Sequence, residues 1–301
     1  MTHGLLGSVG LMLLAMSLIP LGDSAGKLLT QDHGFGPAFV AFARFAVGAA
    51  LIAALVRGGV AWRIWADWRV WLRAALIAAG IVCILTALRT QPIADVFAAF
   101  FVGPIFSYLL STLFLGERVT RAQTVLLAAG FAGVLTVVRP GFDMAPGMLF
   151  AVLAGLFYGG YLTASRWLAD VAPPRQLMLT QTVLGTLLLA PLGLADLPPA
   201  AALADATAVV LLLVSGLASA TGNLLLVTAY RRTGATMLAP FVYVQLVSAV
   251  VLGWAVFGTL PDRMAVLGMG VIVAAGLGTL AVRSSRPAIG SPTRTSRPSA
   301  R

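Results

Sequence analysis

The sequence predicts an all-α integral membrane protein with ten transmembrane helices, built as two inverted five-helix repeats. Three observations carry this prediction. The 301 residues are 59% hydrophobic and only 10% charged, with a mean hydropathy of +0.97, whereas a typical soluble domain is about 25% charged. Ten apolar runs have the roughly 20 residues that a membrane-crossing helix needs. Finally, the two halves of the chain resemble each other.

The composition excludes several other classes of protein. A soluble enzyme would have too few charges to cover its surface. The formal charge of +10 comes from basic residues spread between apolar runs and not from one basic face, so nucleic-acid binding is not expected. The chain has no P-loop motif for ATP phosphates and no cluster of paired carboxylates or histidines. Neither a cofactor nor a metal site is therefore expected.

The ten predicted spans are continuous apolar runs without the polar stripe of a surface helix. Their expected bounds are 5–26, 37–56, 72–90, 94–115, 121–138, 147–167, 175–194, 207–230, 235–257 and 264–282. Arginines concentrate in every second loop and in the tail, which predicts that both termini lie in the cytoplasm. The expected location is the cell inner membrane. Residues 283–301, rich in Ser, Pro and Arg, are expected to be a disordered basic cytoplasmic tail.

An internal repeat divides the spans into two sets of five. At an offset of 142 residues Arg121 matches Arg263, and at an offset of 139 Lys27 matches Arg166. The repeats are predicted to cover 5–139 and 146–282. Because five is an odd number, the second repeat must insert upside down. Inverted repeats are common in secondary transporters, which hold their substrate near the midplane between the halves.

Several motifs in the first repeat are specific enough to indicate a family. They are an Ala-Leu-Arg turn (87–89), Pro-x-Ala-Asp (92–95), a mid-span proline (Pro104), Leu-Gly-Glu (115–117) and Arg-Pro-Gly (139–141). With these motifs the chain resembles the EamA family of the drug/metabolite transporter superfamily. The resemblance implies a ten-span carrier of amino acids, vitamins, nucleotide-like compounds or related metabolites. The chain departs from the family pattern at Thr259, where relatives often carry Glu.

Charged residues within the spans are the first candidates for substrate binding or gating. Arg44 lies inside the second span, where a charged residue costs about 2.5–3.5 kcal/mol on insertion. It is either a contact for a substrate anion or a structural cation paired with a carboxylate. Asp23 and Lys27 stand one turn apart near the outer end of the first span. They form either a local ion pair, or Asp23 faces the transport cavity.

Further candidates follow along the chain. Asp95 begins the fourth span and is expected either to cap that helix or to form a gate salt bridge with Arg89. Polar and aromatic side chains within spans are additional candidates: Ser107, Tyr108, Tyr158, Tyr161, Asn223, Tyr243 and Gln245. Tyr243 and Gln245 are two positions apart, so on a regular helix at most one points directly into a cavity.

Prolines and glycines mark features of the helices themselves. Pro20, Pro104 and Pro240 are candidate helix breaks, since each removes a backbone hydrogen bond, and broken helices often mark a transport site. Small residues permit close helix packing. The glycines of spans five and ten are therefore scaffold residues and a candidate homodimer contact: Gly130, Gly133, Gly268, Gly270, Gly276 and Gly278.

The sequence favours an exporter of a small polar or zwitterionic metabolite, working by alternating access. An amino acid or an amino-acid derivative, including opine-type metallophores, is the expected substrate class implied by the resemblance. Uptake of S-adenosylmethionine-like or riboflavin-like compounds is the alternative. An intramembrane enzyme and a structural subunit are remote alternatives, because enzyme chemistry usually needs paired carboxylates or a His with an acid. The expected partners are the small-molecule substrate and the lipid bilayer.

Overall fold

The described part of the chain is entirely helical where it is regular. The computed structural model describes residues 2–55, 61–116, 120–140, 144–168, 170–233 and 238–284. Within these ranges nine helices are long and apolar enough to cross a membrane, and the last helix contains a shorter apolar stretch, Arg263–Thr279. The predicted fold class is therefore confirmed. The predicted disordered tail lies outside the described residues from residue 285 onward, while 283 and 284 end the last helix.

Each repeat contributes five membrane segments, of which the fourth is broken. The first repeat contains α1 (Thr2–Gln31), α2 (Pro37–Leu55), α3 (Trp68–Leu88), α4 (Ile93–Phe100), α5 (Val102–Leu115) and α6 (Arg121–Val138). The second contains α7 (Pro146–Trp167), α8 (Pro174–Ala195), the short α9 (Ala200–Ala204), α10 (Ala206–Arg232), α11 (Val244–Phe257) and α12 (Arg263–Ser284). Single 3-10 turns at Trp62–Ala66 and Ala239–Tyr243 precede α3 and α11.

The helix boundaries of the two repeats coincide at the offset that aligns their sequences. The half-helices α5 and α11 both have 14 residues, and each is capped by the glycine that follows it, Gly116 or Gly258. These glycines have φ angles of 67° and 63°, a left-handed conformation that glycine adopts without a steric penalty. The helices that follow begin at Arg121 and Arg263, again 142 positions apart.

The helix pairs also follow a two-fold arrangement. The first helix of each repeat packs along the third segment of the other, so that α1 lies against α10 and α7 lies against α3. The second and fifth segments pack against their own counterparts, as α2 on α8 and α6 on α12. This exchange of partners is what two repeats related by an axis in the membrane plane produce.

The fourth segments break at equivalent places, although their prolines are in different registers. The first break is at Phe101, three residues before Pro104, whose missing N–H leaves the preceding turn without one hydrogen bond. The second is the 3-10 turn that contains Pro240 and ends at Tyr243. The prediction for Pro20 was wrong, since α1 continues through it and the Ser24 hydroxyl donates to its carbonyl at 2.8 Å.

The glycines of spans five and ten pack those helices against each other within one chain. A Cβ atom at Gly133 would lie 2.9 Å from the carbonyl oxygen of Gly268, and the reverse distance would be 2.7 Å. The space beside each of these glycines is therefore occupied by the facing helix, α12 or α6. Gly270 has open space around it. The homodimer stays a prediction, and these two buried glycines cannot form its contact.

An ion pair joins the ends of α6 and α12. Arg139 pairs with Asp262, whose carboxylate also accepts from the backbone N–H of Ala265 at 2.8 Å. The N–H of Ala265 first, and then the Arg139 guanidinium, hold the pKa of Asp262 below its usual value. The carboxylate therefore stabilises the start of α12 both as a cap and as a charge.

We expect Asp262→Asn to lower the melting temperature slightly at neutral pH. Asparagine still caps the helix, so the variant isolates a largely exposed ion pair worth about 0.2–1 kcal/mol. A lowered carboxyl pKa gives stability that is present above the unfolded-state pKa and is lost as pH falls through the folded-state pKa. Thermal unfolding in detergent across pH should show that the difference in melting temperature between the wild type and Asp262→Asn disappears in acid. A difference in melting temperature that persists at acidic pH would contradict this account.

Candidate functional site

A cavity of about 410 Å³ lies between the two repeats. Side chains from all the membrane segments except α8 line it, so neither repeat could form it alone. Its volume lies in the range of sites that hold small metabolites. The predicted helix break Pro104 lines this cavity, as do seven of the charged, polar and aromatic candidates predicted from the sequence: Asp23, Arg44, Tyr108, Tyr158, Asn223, Tyr243 and Gln245.

An ion pair between Arg44 and Asp23 forms one wall of the cavity. An Arg44 guanidinium nitrogen donates directly to the Asp23 carboxylate, and both side chains are almost completely buried. Arg44 is thus paired with a carboxylate and also faces the cavity, which combines the two interpretations made from the sequence. Buried charges are stable only when each is compensated by a partner.

A side pocket of about 60 Å³ lies behind the same arginine. It shares Arg44, Ile77, Ile81 and Asn223 with the main cavity and extends to Gln181. A volume of this size holds about two water molecules or one small polar group. Arg44 therefore separates a large cavity from a small polar recess.

The two helix breaks meet at the cavity. The ring of Phe101 stacks on the ring of Tyr243 with centroids 5.4 Å apart and an angle of 19° between planes. Both Tyr243 and Gln245 line the cavity, although at most one was predicted to do so. That prediction assumed a regular helix, whereas a 3-10 turn changes to α-helix between Tyr243 and Val244. The cavity wall therefore includes residues from both the 3-10 turn and the helix that follows it.

Aromatic rings line much of the remaining wall. Tyr158 lies 4.8 Å from the ring of Phe100 and 5.8 Å from that of Tyr161, measured between centroids. Tyr108 and Tyr230 also line the cavity. Such a wall offers flat apolar faces together with hydroxyl groups at the ring edges.

Two predicted candidates are instead used to hold helices together. Ser107 is buried and lies 3.1 Å from the hydroxyl of Thr163, which joins α5 to α7. Tyr161 accepts from the Arg73 guanidinium and donates to Gln181, both at 2.9 Å. Neither Ser107 nor Tyr161 lines the cavity.

The predicted partners of the other charged candidates were wrong. Lys27 does not pair with Asp23, because its ammonium donates to the carbonyls of Leu88, the last residue of α3, and of Gln91 just after it. Asp95 lies in the first turn of α4 but does not cap that helix, and its Oδ1 is buried without a hydrogen-bond partner in the described residues. Arg89 is exposed and makes no ion pair with Asp95. The charged groups that act on Asp95 are Asp262 and Arg139.

Three polar cavity residues were not predicted as site residues. Arg166, Tyr230 and Thr279 line one end of the cavity, which we call the Arg166 end. Arg166 was interpreted only as a loop arginine that sets orientation. Its alignment with Lys27, an intramembrane candidate, was the signal that could have identified it. Its Nη1 donates to the hydroxyl of Ser111 at 2.9 Å, and the residue is exposed.

Inverted repeats, paired helix breaks and a central cavity that holds a buried ion pair together define a membrane transporter. The chain belongs to the EamA-like transporter family, whose model matches residues 6–139 and 145–281. It is therefore a transporter and not an enzyme, as the sequence predicted.

The curated proteins that are similar to this chain are named for different substrates. The chain is 32% identical over 213 residues to a riboflavin transporter of Rhizobium johnstonii, covering 70% of this chain and 69% of that one. It is 31% identical over 240 residues to the pseudopaline exporter CntI of Pseudomonas aeruginosa, covering 78% and 83%. A solved crystal structure at 19% identity covers 95% of this chain and 99% of its own with a TM-score of 0.65, which supports the fold alone.

Proposed function

We propose that this protein exports a small zwitterionic metabolite that carries at least one carboxylate, such as an amino-acid derivative of the opine type. The single observation that carries the proposal is the Arg44–Asp23 pair in the wall of the central cavity. A substrate carboxylate can replace Asp23 on the guanidinium, while a substrate ammonium takes the released Asp23. Both protein charges then stay compensated throughout the exchange.

The side pocket supports the same substrate class. A carboxylate that enters the recess behind Arg44 meets the guanidinium together with the side-chain amides of Asn223 and Gln181, which line it. All three groups can donate hydrogen bonds, and charge-assisted bonds from Arg to carboxylate are the strongest of this kind. The main cavity then holds the rest of the substrate.

The charge of the cavity argues against a cationic substrate. Its charged lining consists of Arg44, Arg166 and Asp23. The chain is 25% identical over 212 residues to an S-adenosylmethionine uptake transporter of Rickettsia bellii. Arg44 and Arg166 attract a carboxylate, whereas Asp23, the group that would attract the sulfonium of such a compound, is already paired with Arg44.

The aromatic wall favours a second candidate, a planar riboflavin-like compound. The stacked rings of Phe101 and Tyr243 and the tilted pair of Tyr158 and Phe100 offer flat apolar surfaces in the cavity wall. A fused-ring substrate would stack on them. This candidate does not use the Arg44–Asp23 pair, which is why it ranks second.

The proposal includes an orientation in the cell inner membrane with both termini in the cytoplasm. Arg166, Arg175, Arg231 and Arg232 lie at helix ends on the Arg166 end of the bundle, which supports placing that end in the cytoplasm. The cavity then opens to the cytoplasm. Residues 5–139 and 146–282 are proposed as the two repeats that move against each other.

Metabolite profiling of cells and spent medium tests the proposal. A deletion strain is compared with strains producing the wild type or the matched variant Asp23→Asn/Arg44→Gln, which keeps the packing but removes both charges. We expect a carboxylate-bearing compound to accumulate inside the cells of the deletion strain. Only the strain that produces the wild type is expected to release this compound into the medium. Depletion of a compound from the medium by the wild type would mean that the protein takes this compound up and does not export it. A flavin transported equally by both proteins would favour the second candidate.

A further inference from the structure

The cavity is symmetric at its centre and asymmetric at its ends. Several aligned pairs line it from both repeats, among them Ile81 with Asn223 and Phe101 with Tyr243. At the Arg166 end the lining is Arg166, Tyr230 and Thr279. Their aligned counterparts in the first repeat are Lys27, Leu88 and Val137, which are only 5%, 0% and 7% exposed. We call this buried region the Lys27 end.

Lys27 closes the Lys27 end by a specific set of contacts. Its ammonium donates to the carbonyl oxygen of Leu88 at 2.7 Å and to that of Gln91 at 2.6 Å. It also lies 5.2 Å from the ring centroid of Phe257. One side chain of α1 therefore joins the end of α3 to the end of α11 in the other repeat. Carbonyls at a helix C-terminus lack internal partners and attract a cation.

At the Arg166 end the described residues include the same parts but do not repeat these contacts. Arg166 is the aligned counterpart of Lys27, and the carbonyls that correspond to those of Leu88 and Gln91 belong to Tyr230 and Thr233. These two residues are at the C-terminal end of α10. Among the described residues, Arg166 donates to Ser111 of α5, and Tyr230 lines the cavity.

We propose that Lys27 and Arg166 are equivalent gate residues that the two access states use in turn. In the state described here Lys27 holds the Lys27 end shut. In the opposite state Lys27 releases its carbonyls, and Arg166 moves from Ser111 to the carbonyls of Tyr230 and Thr233 and shuts the Arg166 end. The proposal needs alternating access but not the substrate class of the proposed function.

The test measures the accessibility of both ends without any substrate. Single cysteines replace the aligned residues Val137 and Thr279 in a Cys83→Ala background, and a small thiol reagent labels them in lipid nanodiscs. Lys27→Met is expected to raise the labelling rate of the cysteine at 137 about tenfold and to lower that at 279, because two charge-assisted bonds are lost from one state only. Arg166→Met is expected to shift both rates in the opposite directions.

Reciprocal changes in the two rates support the gate, and Lys27→Arg should restore the wild-type pattern. An increase at both positions would mean that Lys27 only holds the fold together, and unchanged rates would also overturn the proposal. If Lys27→Met does not fold, Phe257→Leu, which removes the aromatic contact alone, is expected to give a smaller shift of the same sign. Because no substrate is present, these results are independent of the export assay.

Discussion

Replacing Arg44 with alanine is expected to lower the free energy of unfolding by about 3–5 kcal/mol and to abolish transport. The substitution leaves the Asp23 carboxylate buried beside α2 without a partner, and removing one member of a buried ion pair costs this much. Asp23→Ala should be as damaging, since it leaves the guanidinium unpaired at the same place. Thermal unfolding in detergent and uptake into proteoliposomes measure the two effects.

The double variant Asp23→Asn/Arg44→Gln separates stability from function. With both charges gone no uncompensated charge remains, so most of the lost stability should return while transport stays absent. Arg139→Gln is the matched control, because it breaks an exposed ion pair that contributes little. A double variant that still transports at the wild-type rate would show that the pair is structural only.

Much of the fold could be predicted from the sequence because the bilayer restricts what a chain can do. Apolar runs of about 20 residues must form helices, since their backbone groups have no other partners in lipid. The repeat was visible in aligned residues such as Arg121 and Arg263, which begin equivalent helices. Arg44 and Asp23 stood out because charges within spans are costly and need a reason.

Other features depend on contacts that no local pattern contains. A 3-10 turn at Ala239–Tyr243 replaces the regular helix that the sequence predicts there. Lys27 was assigned to Asp23 because they are one turn apart, but its partners are carbonyls more than 60 positions away in the chain. Lys27 is buried and its aligned counterpart Arg166 is exposed, a difference that the gate proposal assigns to the conformational state. Two aligned residues of similar chemistry cannot reveal which end of the molecule is closed.

One packing motif was present in the sequence but was not recognised. Gly155 and Gly159 are four positions apart on α7, the spacing that lets membrane helices approach closely. A Cβ atom at Gly159 would lie 2.5 Å from the carbonyl oxygen of Gly103 and 3.0 Å from the backbone nitrogen of Ser107. The close contact of α5 with α7 therefore depends on the absence of a side chain at this position.

Gly159→Ala is accordingly expected to destabilise the protein by about 1–3 kcal/mol, the usual cost of overpacking a tight contact. Gly160→Ala is the matched control on the same helix, because its Cβ would meet only the flexible end of Leu76 at 3.3 Å. Alanine favours helix over glycine by about 1 kcal/mol, so this second variant should be neutral or more stable. In detergent, the melting temperature should therefore fall below that of the wild type for Gly159→Ala and stay equal or rise for Gly160→Ala. Equal losses in both would mean that the glycines act through the flexibility of α7, whereas opposite signs locate the effect at the backbone contact with Gly103, beside the cavity residue Pro104.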